Sequence, residues 1–136
     1  MTDCIFCKIV KGESPSEKIY ENDKVLSFLS IGPVNKGHAL VISKTHYENI
    51  FDIPEELLKE VIAAVKKVSA AVMQATSAHG IVVSQNNHAP AGQVVFHLHF
   101  HVIPRYSHDG LKLWPPKKYA DSEFNIYAEK IRMAVK

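Results

Sequence analysis

Residues 93–101 read QVVFHLHFH, and three histidines at every second position constrain this chain more than any other feature. Side chains at i, i+2 and i+4 of a β-strand project from one face. Residues 94–103 are therefore predicted to form a strand with His97, His99 and His101 on one side and Leu98, Phe100 and Val102 on the other. The apolar side needs a cover, and the chain has one segment long enough to provide it. From Ile53 to Thr76, Leu58, Val61, Ile62, Val65, Val68 and Val72 recur at helical spacing, while Lys59, Lys66 and Lys67 fall off the stripe. Asp52 with Glu55 three residues later predicts a capping-box start for this helix, and Gly80 its end.

Shorter signals fill in the rest. CIFCKIVKGE (4–13) predicts a short helical segment closed by Gly12. Strands are expected at 18–21 and 25–30, split by the turn-forming Asn22-Asp23, and at 81–85. HALVIS (38–43), apolar through its middle, predicts a central strand. A second helix is expected at 122–135, with Phe124, Tyr127, Ile131 and Ala134 on one face. Strands gathered around one long helix make an α+β fold with an antiparallel five-stranded sheet. No repeat or linker divides the 136 residues, so one domain over 1–136 is expected.

Charge and composition narrow the partners. A net charge of +2 without runs of like charge argues against nucleic acid and against a membrane surface. No run of 18 apolar residues is present to span a bilayer. The start, Met1-Thr2-Asp3-Cys4, lacks the features of a secretory signal, so a cytoplasmic location is expected. Two cysteines spaced Cys4-x-x-Cys7 suit a thiol or metal role better than a disulfide scaffold.

The histidine row admits three uses. It can fill the polar face of a half-exposed strand, bind metal, or do nucleophilic chemistry. Metal binding by all three is limited by geometry: a rise of about 3.3 Å per residue puts the outer Cα atoms about 13 Å apart. Imidazoles that must reach an ion at about 2 Å cannot all converge from that span, although two can share one ion. Nucleophilic chemistry fits better. An imidazole is mostly neutral at pH 7 and attacks an electrophile when its other ring nitrogen is held as a donor. Its neighbours in the row can then move protons.

At this point the chain resembles a known family. The stretch 93–103, with Gly92-Gln93 ahead of it, is similar to the His-x-His-x-His signature of the histidine triad (HIT) superfamily. CIFCKIVKGE, NKGHALVISKTHYENIFDIPEE and AGQVVFHLHFHVIPR extend the likeness, most closely to its bacterial-type, zinc-containing nucleotide-binding branch. The resemblance implies a homodimeric purine-nucleotide hydrolase acting at an α-phosphate, with nucleoside 5′-phosphoramidates, and so AMP release, as its type reaction. It implies His99 as the nucleophile that forms a nucleotidyl-imidazole, His101 at the bridging atom, and His38 and His97 as supporting residues. Asn86, Gln93 and the backbone N–H groups of Gly92, Val94 and Val95 would hold the phosphate. Ile5, Phe6, Ile9, Phe28 and Ile31 would form the purine slot, with Ser30 beside the ribose. The same branch implies structural Zn2+ on Cys4, Cys7, His46 and His97. Without the resemblance, Cys4-x-x-Cys7 reads as a redox pair, as two small buried residues, or as half of a zinc site, and the redox reading lacks the thioredoxin-like βαβ context it needs.

Two residues depart from the family pattern. Ser30 stands where an acidic residue usually accepts from the ribose hydroxyls, and a hydroxyl is the weaker partner. Val94 stands where eukaryotic phosphoramidases of this type carry a serine near the leaving group. Dinucleoside polyphosphate hydrolysis and a weakly catalytic nucleotide-binding scaffold are the alternatives. The nucleotidyltransferase branch usually has glutamine at the third triad position, where this chain has His101. His79, His88 and His108 match no required position, and only His88 falls in the phosphate-loop region.

Overall fold

Side chains on the central strands alternate between two covers, one on either face of a single sheet. The computed structural model describes residues 3–136. In chain order the elements are α1 (Ile5–Val10), β1 (Lys18–Glu21), β2 (Val25–Leu29), β3 (Ala39–Ser43), α2 (Glu55–Thr76), β4 (Gly80–Ser84), β5 (His99–Arg105) and α3 (Glu123–Ala134). The five strands pair in the order β1-β2-β3-β5-β4, every pair antiparallel. This is the α+β architecture expected from the pattern.

β3 is buried along its whole length. Its Ala39 and Val41 join Leu98, Phe100 and Val102 beneath Val61, Ala64, Val65, Val68 and Val72 of α2. Its Leu40 and Ile42 face the other way and pack with Leu26, Phe28 and, from α1, Phe6 and Ile9. The histidines of β5 lie on this second face, because Leu40 is paired with His101 and Ile42 with His99.

Several boundaries differ from the sequence reading, each for a local reason. β5 begins at His99 rather than Val94. β3 ends at Ser43, so residues 94–97 have no strand to pair with, and Leu98 N–H donates instead to the Tyr47 carbonyl at 2.7 Å. α2 begins at Glu55 with Pro54 as its cap and no side-chain capping bond. Asp52 is engaged upstream, accepting from the N–H groups of Glu48 and Asn49 at 3.0 Å each. The helix ends at Ser77 in the left-handed conformation, and Gly80 opens β4 instead. Ile62, expected on the buried stripe, is 46% exposed, and Ala64 takes the inward position. α3 forms as expected but buries none of its residues, leaving Phe124, Tyr127 and Ile131 exposed.

Candidate active site

Four histidines meet on the α1 face of the sheet, and their hydrogen bonds fix which ring nitrogen each presents. His97 lies just before β5; its Nε2–H donates to the Ser43 carbonyl at 2.7 Å, which leaves Nδ1 with a lone pair. His99 Nδ1–H donates to the His97 carbonyl at 2.7 Å, which leaves Nε2 with the lone pair. His38, one residue ahead of β3, accepts the Val34 N–H on Nδ1 at 3.1 Å, so its proton sits on Nε2. That nitrogen lies 3.0 Å from His101 Nδ1, which must then accept and leave Nε2–H as a donor. The row thus offers one lone pair at His99 and one hydrogen at His101, on rings whose centroids are 5.0 Å apart. A lone-pair nitrogen beside a donor is what attack on an electrophilic centre requires.

Burial keeps these rings uncharged. His38, His97 and His99 are buried, and His101 is half-buried. Desolvation, reinforced by the neighbouring histidines, pushes His97 and His101 down to about 4. The same cause lowers His38 and His99, the latter against the pull of its bond to the His97 carbonyl. Phe6 of α1 closes the row from above, its ring edge-on to His97 and His99 at 5.8 and 5.1 Å.

Cys4, Cys7, His46 and His97 bring one ligand atom each into a group whose members all lie within 4.8 Å of one another. Cys4 Sγ is 3.4 Å and Cys7 Sγ 3.6 Å from His97 Nδ1, and Cys7 Sγ is 3.4 Å from His46 Nδ1. A tetrahedral ion with metal–sulfur and metal–nitrogen bonds of about 2.3 and 2.0–2.1 Å sets a sulfur–nitrogen separation of about 3.6 Å. The donor set therefore fits a zinc-sized ion, and the lone pair on His97 Nδ1 points into it. Burial, then the adjacent Cys4, raises the Cys7 thiol above its ordinary value, an effect that a bound cation reverses.

The loop after β4 leads directly into the row. Gly92, at φ +97°, adopts a conformation that L side chains rarely take, and a Cβ there would stand 3.2 Å from Asn86 Nδ2. Asn86 Nδ2 donates weakly to the Gly92 carbonyl at 3.4 Å. Gln93 is buried, and its amide is engaged inside the protein: Nε2 donates to the Glu48 and Val95 carbonyls, and Oε1 accepts from His88 N–H at 2.7 Å. These bonds tie the loop to the segment that precedes α2. Val94 is 83% exposed and Val95 half-buried. His88 takes φ +74° and stacks on the exposed Phe51. Of the residues read as a purine slot, Phe6, Ile9 and Phe28 belong to the core under α1, whereas Ile5 and Ile31 are exposed. Ser30 Oγ accepts from Gly32 N–H at 3.2 Å.

The tautomer-setting groups escaped the sequence reading. Ser43 C=O, His97 C=O and Val34 N–H are backbone atoms, and no residue identity announces them. For Val34, the only signal is a turn-rich stretch, GPVNKG, running into His38.

Comparison with known proteins adds to this geometry. Residues 11–108 match the family described as HIT domain. The chain is 39% identical, over 98% of each sequence, to Adenosine 5'-monophosphoramidase hnt1 of Schizosaccharomyces pombe. A crystal structure of a HIT family protein from Bacillus subtilis superposes with a TM-score of 0.91 at 40% identity, covering 98% of each chain. A Zn-bound histidine triad family protein from Mycobacterium smegmatis superposes at 0.78 with 33% identity, covering 98% of this chain and 99% of that one.

Proposed function

The chain belongs to the HIT domain family, and on that premise we propose that it binds purine nucleotides and hydrolyses nucleoside 5′-phosphoramidates at the α-phosphate. The observation that carries this reading is the fixed tautomer of His99, whose Nδ1–H is spent on the His97 carbonyl so that Nε2 is free to attack. In the first step a bond forms between Nε2 and phosphorus as the P–N bond breaks. The departing nitrogen takes the proton from His101 Nε2, which leaves that ring anionic beside the cation forming on His99, the two ring centroids 5.0 Å apart. His99, now N-phosphorylated and still protonated at Nδ1, carries a positive charge stabilised by the His97 carbonyl. In the second step water attacks phosphorus, the P–Nε2 bond breaks, and the water's proton returns to His101. Substrate plus water becomes nucleotide plus amine, and the enzyme is restored.

Asn86 and the N–H groups of Gly92, Val94 and Val95 are read as the phosphate donors, and the rim of the α1 core, from Ile5 to Ile31, as the seat of the base. Gln93 serves by shaping that loop. Zn2+ on Cys4, Cys7, His46 and His97 is read as structural, tying α1 to the end of the sheet and holding His97 in place. The relative from Schizosaccharomyces pombe, named for phosphoramidase activity, supports the choice of leaving group. Incubation with adenosine 5′-phosphoramidate should release AMP and ammonia over many turnovers. Absence of AMP release would overturn the reading, and faster cleavage of a dinucleoside polyphosphate would transfer it to that substrate.

Residues 1–136 are read as one domain that works as a homodimer in the cytoplasm, without nucleic-acid or membrane partners. The apolar face of α3, with Phe124, Tyr127 and Ile131 exposed in the single chain, supports a second copy as its cover. No helix among the described residues is long and apolar enough to cross a membrane. In solution the mass should be twice the 15.2 kDa of one chain; a monomer at micromolar concentration would refute the dimer.

A further inference from the structure

Nothing on β5 itself decides which nitrogen of His101 carries the proton. That choice is made across the sheet, in the loop before β3. We propose that Asn35 is a positioning residue: it holds Val34 N–H against His38, and His38 in turn makes His101 a donor from Nε2. The catalytic consequence rests on the phosphoramidase reading; the tautomer assignment does not.

Asn35 reaches both ends of the network. Its side-chain Nδ2 donates to the Pro104 carbonyl at 2.8 Å, on the strand that bears His101, and to Asp109 Oδ2 at 3.1 Å. Its backbone carbonyl accepts from His38 N–H at 3.0 Å, closing the turn that carries Val34. Asp109 is itself immobilised by Arg105 Nε at 2.7 Å and by the N–H groups of Tyr106 and Leu111. On the far side of the turn, Gly37 takes φ +97°, and a Cβ there would fall 2.7 Å from Thr76 Cγ2. On either side of Asn35, Gly32, Pro33, Val34 and Lys36 are exposed.

The logic is directional. A backbone N–H only donates, so His38 Nδ1 must hold a lone pair while Val34 stays within 3.1 Å of it. Free of that donor, the pair can reverse: His101 Nδ1–H then donates to His38 Nε2, and His101 turns a lone pair toward the leaving group. A reversed pair cannot protonate a departing amine.

The test uses the full chain labelled with 15N-histidine. Long-range 1H–15N correlation spectra at pH 7.5 should show His38 and His101 of the parent as single Nε2–H tautomers. In Asn35→Ala both rings should show averaged shifts, while His99 keeps its Nδ1–H signature and so reports an intact fold. Turnover should fall by about tenfold, a fraction of what a general acid supplies, for a phosphoramidate with an alkylamine leaving group, with KM little changed. An AMP ester of 4-nitrophenol, whose leaving group departs without a proton, should lose about twofold or less. Asn35→Asp, close in shape but without donor hydrogens, should disturb the same two rings if the alanine variant folds poorly. Parent-like spectra for His38 and His101 in both variants, or equal losses on the two substrates, would overturn the proposal. If the parent cleaves neither substrate, the phosphoramidase reading fails, and the spectra still decide whether Asn35 sets the tautomers.

Discussion

Replacing His99 with alanine should leave a folded protein that no longer turns over adenosine 5′-phosphoramidate, with kcat lower by about a thousandfold or more, the scale on which removing a nucleophile acts. The loss should be this large because no other ring can substitute. His97 Nδ1 faces the cysteines, His101 Nδ1 is occupied by His38, and His101 Nε2 carries a hydrogen. Rapid acid quench and mass spectrometry of the parent should find one nucleotidyl group attached to the chain, and of the variant none. The fold should survive, because the α2 side of the sheet is untouched and the substitution removes one ring from a cluster of four. It should nevertheless weaken: the buried His97 carbonyl loses its donor, at a cost of about 1–3 kcal/mol. Parent-like turnover in a folded His99→Ala protein would dismiss the nucleophile assignment.

The same residue sets the sign of the pH response. Neutral His99 is the reactive form, so activity is full above its folded pKa and is lost as pH falls through it. Burial holds that pKa below the ordinary 6.5, and His101 is held at about 4. The acid limb of kcat/KM should therefore be centred below pH 6.5. A limb centred at or above 6.5 would mean that His99 is solvated, against its 9% exposure.

Much of this was legible in the sequence because the informative signals are periodic. Alternation over 97–102 gave the two faces of β5 correctly although the strand starts only at His99, since the chain keeps its two-residue alternation where pairing has ceased. The long stripe gave α2, yet it admitted Ile62 and overlooked Ala64, because hydrophobicity ranks isoleucine above alanine while position 64, three residues after Val61 and four before Val68, falls on the buried face. Asp52 looked like a cap, but an aspartate satisfies whichever N–H groups its turn presents, and here they are those of Glu48 and Asn49. The site residues were legible as types. Their protonation was not, since it is set by backbone groups at Ser43, His97 and Val34 that only the folded chain brings near.

Stripping metal from the protein should lower its melting temperature by roughly 15 °C and weaken nucleotide binding. Purified protein should contain about one zinc per chain, removable by a strong chelator. Binding only to the folded state at a free zinc concentration 1,000 times the dissociation constant contributes about 4 kcal/mol, which for a domain of this size corresponds to that shift. Cys7→Ser should reproduce it, because Cys7 Sγ lies within 3.6 Å of both histidine ligand nitrogens. The damage should be local at first. α1 is only six residues long, too short to persist without tertiary support, and it carries Phe6, whose ring closes over His97 and His99. Loosening the cysteines therefore opens the roof of the histidine row while α2 and its core stay packed. Far-ultraviolet circular dichroism should change little, whereas hydrogen exchange should accelerate over residues 4–13 and 95–99. Metal-free protein with unchanged melting temperature and unchanged exchange in those two segments would show that the four residues sit together without holding an ion.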